Sequence, residues 1–178
     1  MLIHLAQLLL ASALLNQTHA TELKTLTPNQ FPNLPAKVRT AAKKHQCKIP
    51  QSYSSPQPHN IIQGSFSGKG TKDYAILCSK NGKSKILIVW ERKSTCANEI
   101  AEQDDKLFLQ TIDEKKTEGY SRILSTATIE SILQHQQAFN GPLPKHLDHQ
   151  GIDDGFAEKG SEIHYCENGK WLKLTGAD

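Results

Sequence analysis

Past residue 20 the sequence has no apolar run of bilayer-spanning length, no Cys-x-x-Cys and no Cys/His spacing typical of a zinc site. The first absence excludes a membrane span after signal removal, since the longest run, ILIVW at residues 86–90, suits a buried strand. The second sets aside dithiol redox chemistry and zinc capture. Excess charge is scarce too: 21 Lys and Arg face 18 Asp and Glu, for a net charge of +3, and aromatics make up 6%. That is too little for the basic stripe with stacking partners that nucleic-acid binding uses, so KVRTAAKKHQCK and SGKGTK read as solvated faces. No repeat recurs often enough for a solenoid or a many-bladed propeller.

Residues 1–20 contain no Asp, Glu, Lys or Arg, and their apolar stretch from Leu5 to Leu15 has the length of a signal-peptide h-region. Small residues at Thr18 and Ala20 place the expected cleavage between Ala20 and Thr21, giving an exported, periplasmic or secreted, protein. In such a compartment the four cysteines form an even set, and three pairings into two disulfides are open. We favour Cys47 with Cys78 and Cys96 with Cys166, which close long loops and stabilise by about 3 to 4 kcal/mol each in the chain-entropy model.

Residues 21–34, with Pro28 and Pro32 and with Pro35 directly after, read as an extended arm, and residues 35–178 as one α+β domain. Pro35 suits a first helical position with Asn33 capping, and Leu34, Val38, Ala41 and Ala42 share one side of that helix. DYAILCSKNGKSKILIVW and SEIHYCENGKWLKL each set Asn-Gly between strand-forming runs, the strongest short-range hairpin signal. KLFLQTI and YSRILS read as strands, and TIESILQHQQAF as a helix burying Ile129, Ile132 and Leu133. The expected fold is mainly antiparallel β hairpins forming a sheet, with two helices covering one side or end.

GSFSGKGTKDYAIL, residues 64–77, has the glycines of a phosphate loop but not its spacing: three residues, not four, separate Gly64 from Gly68-Lys69, and a strand follows where a helix is required. Nor does GSFSG hold serine at the centre of a nucleophile elbow. The stretch resembles the FG-GAP or VCBS hairpin of integrin-type propeller blades, GDFNGDGKTDLAVL, at Gly64, Phe66, Gly68, Gly70, Asp73, Ala75 and Leu77. That resemblance implies a turn wrapped around calcium. Here Ser65, Ser67 and Lys69 fall on the ligand positions, and Asp73 is the one carboxylate left, a poor set for an ion that takes six to eight oxygens. The expectation is therefore a structural turn of Gly64, Gly68, Lys69, Gly70 and Asp73, with the Lys69 ammonium in the metal's place bonding Asp73 or turn carbonyls. More broadly, CKIPQ, DYAILCS, HQGIDDGF and GKW resemble stretches of a group of uncharacterised exported bacterial proteins, which carries no activity across.

KHLDHQGIDDGFAEKGSEIHY gathers His146, Asp148, His149, Asp153, Asp154, Glu158 and His164. Carboxylates and imidazoles converging from a glycine-rich turn could bind a divalent metal, with His146, Asp148, His149, Asp153 and Asp154 as candidates. The competing reading is that these aspartates cap turns. Asp153 with His149 or His164 could make a base and its orienter, though no nucleophile motif accompanies them. Trp90, Trp171 and Tyr165 could face a sugar or peptide, or simply pack. The expected function is a non-catalytic binding or accessory domain, without cofactor, that recognises a protein or envelope component through the turn from Asp148 to Phe156. The alternative is a metal-assisted hydrolase using the His146 to Asp154 cluster.

Overall fold

A computed structural model describes residues 23–177; the expected signal peptide and its cleavage site lie outside them. The described part of the expected arm is anchored. Strand β1 (Thr25–Leu26) pairs antiparallel with β2 (Ile49–Pro50), and a 3-10 turn follows at Pro28–Gln30. Helix α1 (Ala36–Lys44) holds this region through Arg39, whose guanidinium donates to the carbonyls of Pro28 at 2.9 Å, Leu34 at 3.0 Å and Phe31 at 3.1 Å. Pro35 occupies the N-cap position rather than the first turn, and no side chain caps the helix.

Strands β3 (Ile61–Gly64), β4 (Asp73–Lys80), β5 (Lys83–Val89) and β6 (Glu99–Asp104) form one antiparallel sheet in chain order. A 3-10 turn at Asp105–Phe108 takes the first half of the strand expected at KLFLQTI, and β7 (Leu109–Thr111) pairs with β8 (Glu118–Tyr120). Strand β9 (Arg122–Ala127) leads into helix α2 (Ile129–Ala138), whose Thr128 hydroxyl accepts the Ser131 amide at 3.0 Å. Strands β10 (Gly151–Phe156), β11 (Gly160–Glu167) and β12 (Lys170–Thr175) complete a second sheet in the order β12-β11-β10-β9. Both Asn-Gly pairs make the expected turns, with φ of 54° and 75° at Asn81 and Gly82 and 50° and 80° at Asn168 and Gly169.

Strand alternation then builds the layers. Ala75 and Leu77 on one face of β4, with Ile86 and Ile88, meet Phe66, Leu124 and Ile152 between the two sheets. Ile76 and Cys78 on the other face, with Leu87, pack on Val38 and Ala42 of α1. Ile163, Tyr165 and Leu174 on the outer face of the second sheet pack on Ile132 of α2. Each such side chain contributes about 1.5–3 kcal/mol on burial. The fold is thus α+β and mainly antiparallel, as the sequence indicates, but eight of the described strands form two four-stranded sheets face to face beside the pairs β1-β2 and β7-β8, and the helices lie on opposite outer faces. Ile129, expected inside, is 37% exposed, and Gln136 is buried with Ile132 instead. Disulfides Cys47–Cys78 and Cys96–Cys166 tie β4 to the α1–β2 connection and β11 to the β5–β6 loop. No helix among the described residues is long and apolar enough to cross a membrane.

Candidate functional site

The turn between β3 and β4 is organised by one fully buried carboxylate, Asp73. Its Oδ2 accepts the amides of Phe66 at 3.1 Å and Ser67 at 2.8 Å and the hydroxyls of Ser67 and Thr71, both at 2.7 Å. Its Oδ1 accepts the Glu91 amide at 2.8 Å. Gly64 leaves room for the Phe66 ring, since a Cβ there would lie 2.5 Å from the ring. Donors directed at the carboxylate oppose a cation, so these residues do not fit calcium. The expected bond from Lys69 is not made either: two hydroxyls and three amides satisfy Asp73, and the exposed Lys69 side chain lines a surface basin.

The late Asp/His cluster is dispersed by the strand it forms. Gly-Ile-Asp-Asp-Gly-Phe, expected as a turn, is β10, so Asp153 and Asp154 point to opposite faces. Asp153 accepts the Ser125 hydroxyl at 3.0 Å, and Asp154 faces Arg122. His164 lies on the face opposite Asp153, because Ile163 is the residue paired with it. His149 is buried, with Nδ1 2.9 Å from the Gln150 carbonyl and Nε2 2.9 Å from the Cys166 carbonyl, and its ring stacks on Tyr165 at 4.1 Å. Glu158 is exposed in the β10–β11 turn. His146, Asp148, His149, Asp153 and Asp154 therefore do not converge, and among the described residues no group of three or more His, Cys, Asp and Glu side chains is placed to hold a metal. Neither proposed base–orienter pair forms.

Between the sheets lies a polar network that the sequence reading passed over. Arg122, fully buried, donates from Nε and Nη2 to the two oxygens of Asp154, each at 2.8 Å. Its remaining donors reach the Ser84 hydroxyl at 2.9 Å and the Ala101 carbonyl at 2.8 Å. His164 Nε2 stands 3.5 Å from Asp154 Oδ2. Burial alone would raise the Asp154 carboxyl, but the bonds and charges of Arg122 and His164 outweigh it and hold the group below its ordinary value. Burial likewise opposes the Arg122 charge, and Asp154 restores it. Beside them, burial pushes the Tyr120 phenol up. A signal for Arg122 existed: it alternates with Leu124 on a strand, which places it on the apolar side.

The loops at one end of the sandwich enclose an open basin of about 610 Å³, lined among others by Ser67, Lys69, Arg92, Lys93, Thr95 and His146. Its walls are tied together. Asp73 and the Lys72 amide, which donates to Glu91 Oε2 at 3.1 Å, join the β3–β4 turn to the β5–β6 loop. That loop is bridged to β11 by Cys96–Cys166 and to β12 by Trp171, which donates to the Ala97 carbonyl at 2.8 Å and stacks on Trp90 at 5.8 Å. The segment before β10 is fixed by Tyr165, whose hydroxyl donates to the His146 carbonyl at 2.7 Å. Tyr165 and the tryptophans are thus packing groups. A larger recess of about 930 Å³ near the Asn81–Gly82 turn has Asp105 in its lining, and Asp105 already accepts the Ser79 hydroxyl at 2.6 Å. Of the basin's cations, Arg92 and Lys93 have no part in the sequence expectations; the signal is two adjacent cations three and four residues beyond the buried strand that ends at Val89. No protein-family model matches the chain, and neither a curated protein nor a solved structure matches it.

Proposed function

We propose that the protein is an exported, non-catalytic binding or accessory domain that recognises a protein or envelope component at the end basin. The observation that carries this reading is the tying of four loops, from two sheets, around one polar recess; loops on a rigid scaffold are the usual carriers of recognition. The surface differs from the expected Asp148 to Phe156 turn, most of which is β10, and keeps only its first residues together with the neighbouring hairpin ends. Export is supported by the apolar stretch Leu5 to Leu15 and by two disulfides.

A photo-crosslinking residue at Thr95, on the basin rim, should give a discrete adduct in the cell envelope, and one at Glu114, in the exposed β7–β8 turn, should not. Equal labelling from both positions, or none from Thr95, would remove the basin as the recognition surface. The exported protein should begin at Thr21 by N-terminal sequencing.

A further inference from the structure

The acidic side chains that neighbour the basin's cations in sequence are turned to other work. Asp73, which follows Lys69 by four residues, is fully buried and bonded through both oxygens. Glu91, which precedes Arg92 and Lys93, accepts the Lys72 amide, and Glu167 Oε1 accepts the His146 amide at 2.9 Å. Asp148, exposed, and Glu167, half-buried, are the two carboxylates in the lining, against the three cations Lys69, Arg92 and Lys93. Lys69, Arg92 and Lys93 form no ion pair among the described residues, and all three are exposed. They come from two loops held in fixed relation by Asp73 and Glu91, so the positive charge is presented on a preformed surface.

We propose that the basin is an anion site for a phosphate-bearing group, an inference that rests on the basin being the recognition surface. A monocarboxylate offers one charge on one plane. A phosphate group carries up to two charges and offers acceptors in several directions, which suits an arginine fork and two lysines approaching from separate loops. Thr95 adds a hydroxyl donor to the same lining, while the Ser67 hydroxyl is committed to Asp73. The free volume, about 610 Å³, suits a small phosphorylated molecule or the headgroup of a phospholipid.

The test is an amide-shift titration of the disulfide-intact protein with inorganic phosphate and with pyrophosphate at constant ionic strength. A parallel arm measures co-sedimentation with phosphatidylglycerol and phosphatidylcholine vesicles. Saturable shifts confined to residues 67–71 and 92–95, weakening as salt is raised, are expected. The variant carrying Lys69→Gln, Arg92→Gln and Lys93→Gln should bind about tenfold less tightly or worse, with its fold intact because these exposed side chains make no internal ion pairs. Saturation by the free ions without vesicle binding identifies a soluble phosphate, and selective binding to phosphatidylglycerol vesicles identifies a lipid headgroup. The proposal is overturned by non-saturating shifts together with absent vesicle binding, or by undiminished binding of the triple variant. A Thr95 adduct that persists in the triple variant would discard the anion site but keep the recognition surface. Phosphate binding without any Thr95 adduct would do the reverse.

Discussion

Asp73 and Glu91 are joined through the main chain: the Glu91 amide donates to Asp73 Oδ1 at 2.8 Å, while Asp73 Oδ2 gathers the Phe66 and Ser67 amides and two hydroxyls. One carboxylate thereby fixes two walls of the basin. Replacing it by alanine leaves buried donors without an acceptor, and each such orphan costs about 1–3 kcal/mol. Asp73→Ala should therefore destabilise by about 3 kcal/mol or more, measured by urea denaturation. Asp73→Asn, which turns a donor toward donors on one side, should also lose stability, and both should speed amide exchange at residues 66–72 and 91. A loss below about 1 kcal/mol for the alanine variant would show that water replaces the carboxylate without penalty.

The Arg122–Asp154 pair should set the acid limit of the fold. The Asp154 carboxyl is held below its ordinary value of 3.8, so the folded state binds this proton less readily than the unfolded chain. Its stabilisation is complete above the unfolded value and is lost as pH falls through the folded one. Urea midpoints should fall below about pH 4, and Asp154→Asn should flatten that decline while lowering stability at pH 7. Removing the carboxylate alone leaves a buried guanidinium and should cost about 3–5 kcal/mol, whereas Arg122→Met with Asp154→Leu should recover much of it. An unchanged acid slope in Asp154→Asn would assign the decline to other groups.

The two disulfides should separate in their effect on the basin. Cys96–Cys166 spans 70 residues of sequence and anchors the β5–β6 loop, whereas Cys47–Cys78 packs among α1 and β4. Either pair changed to serine should lose about 2–5 kcal/mol of stability. Only loss of Cys96–Cys166 should raise hydrogen exchange across residues 91–97. Equal exchange in both variants would mean that Trp171 and Asp73 hold the loop without the bridge.

Local chemistry was readable where a signal lies within a few residues. Asn81-Gly82 and Asn168-Gly169 marked their turns because left-handed backbone is available to Asn and Gly, and the apolar spacing of TIESILQHQQAF marked α2. Partners far along the chain were not readable. Gly151 to Phe156 has the composition of a turn and becomes a strand because β9 and β11 pair with it on both edges, while Ser125 and Arg122 engage its aspartates from 28 and 32 residues away. At the Asp73 turn the donors were not legible, since two hydroxyls and three amides take the place expected of the Lys69 ammonium. The division into two sheets was not legible because hairpins specify neighbours and leave open which face meets which.

Asn60 supplies the sharpest test of how the two sheets are joined. It is fully buried, donates to the Pro50 carbonyl at 2.7 Å and the Arg122 carbonyl at 3.1 Å, and accepts the Leu124 amide at 2.8 Å. Its φ is 67°, a left-handed conformation that asparagine and glycine adopt more readily than other residues. Asn60→Gly removes the side-chain bonds and keeps the backbone unstrained, whereas Asn60→Ala removes the bonds and adds strain of about 1–2 kcal/mol. Both should destabilise, alanine more than glycine by about that difference, in urea melts read by tryptophan fluorescence. Asn60→Asp should exceed both, because an oxygen would then face the Pro50 and Arg122 carbonyls, and two acceptors buried together repel without a proton between them. If Asn60→Asp proved as stable as Asn60→Gly, water would have to reach the seam between β3 and β9, and this side chain would not be what joins the sheets.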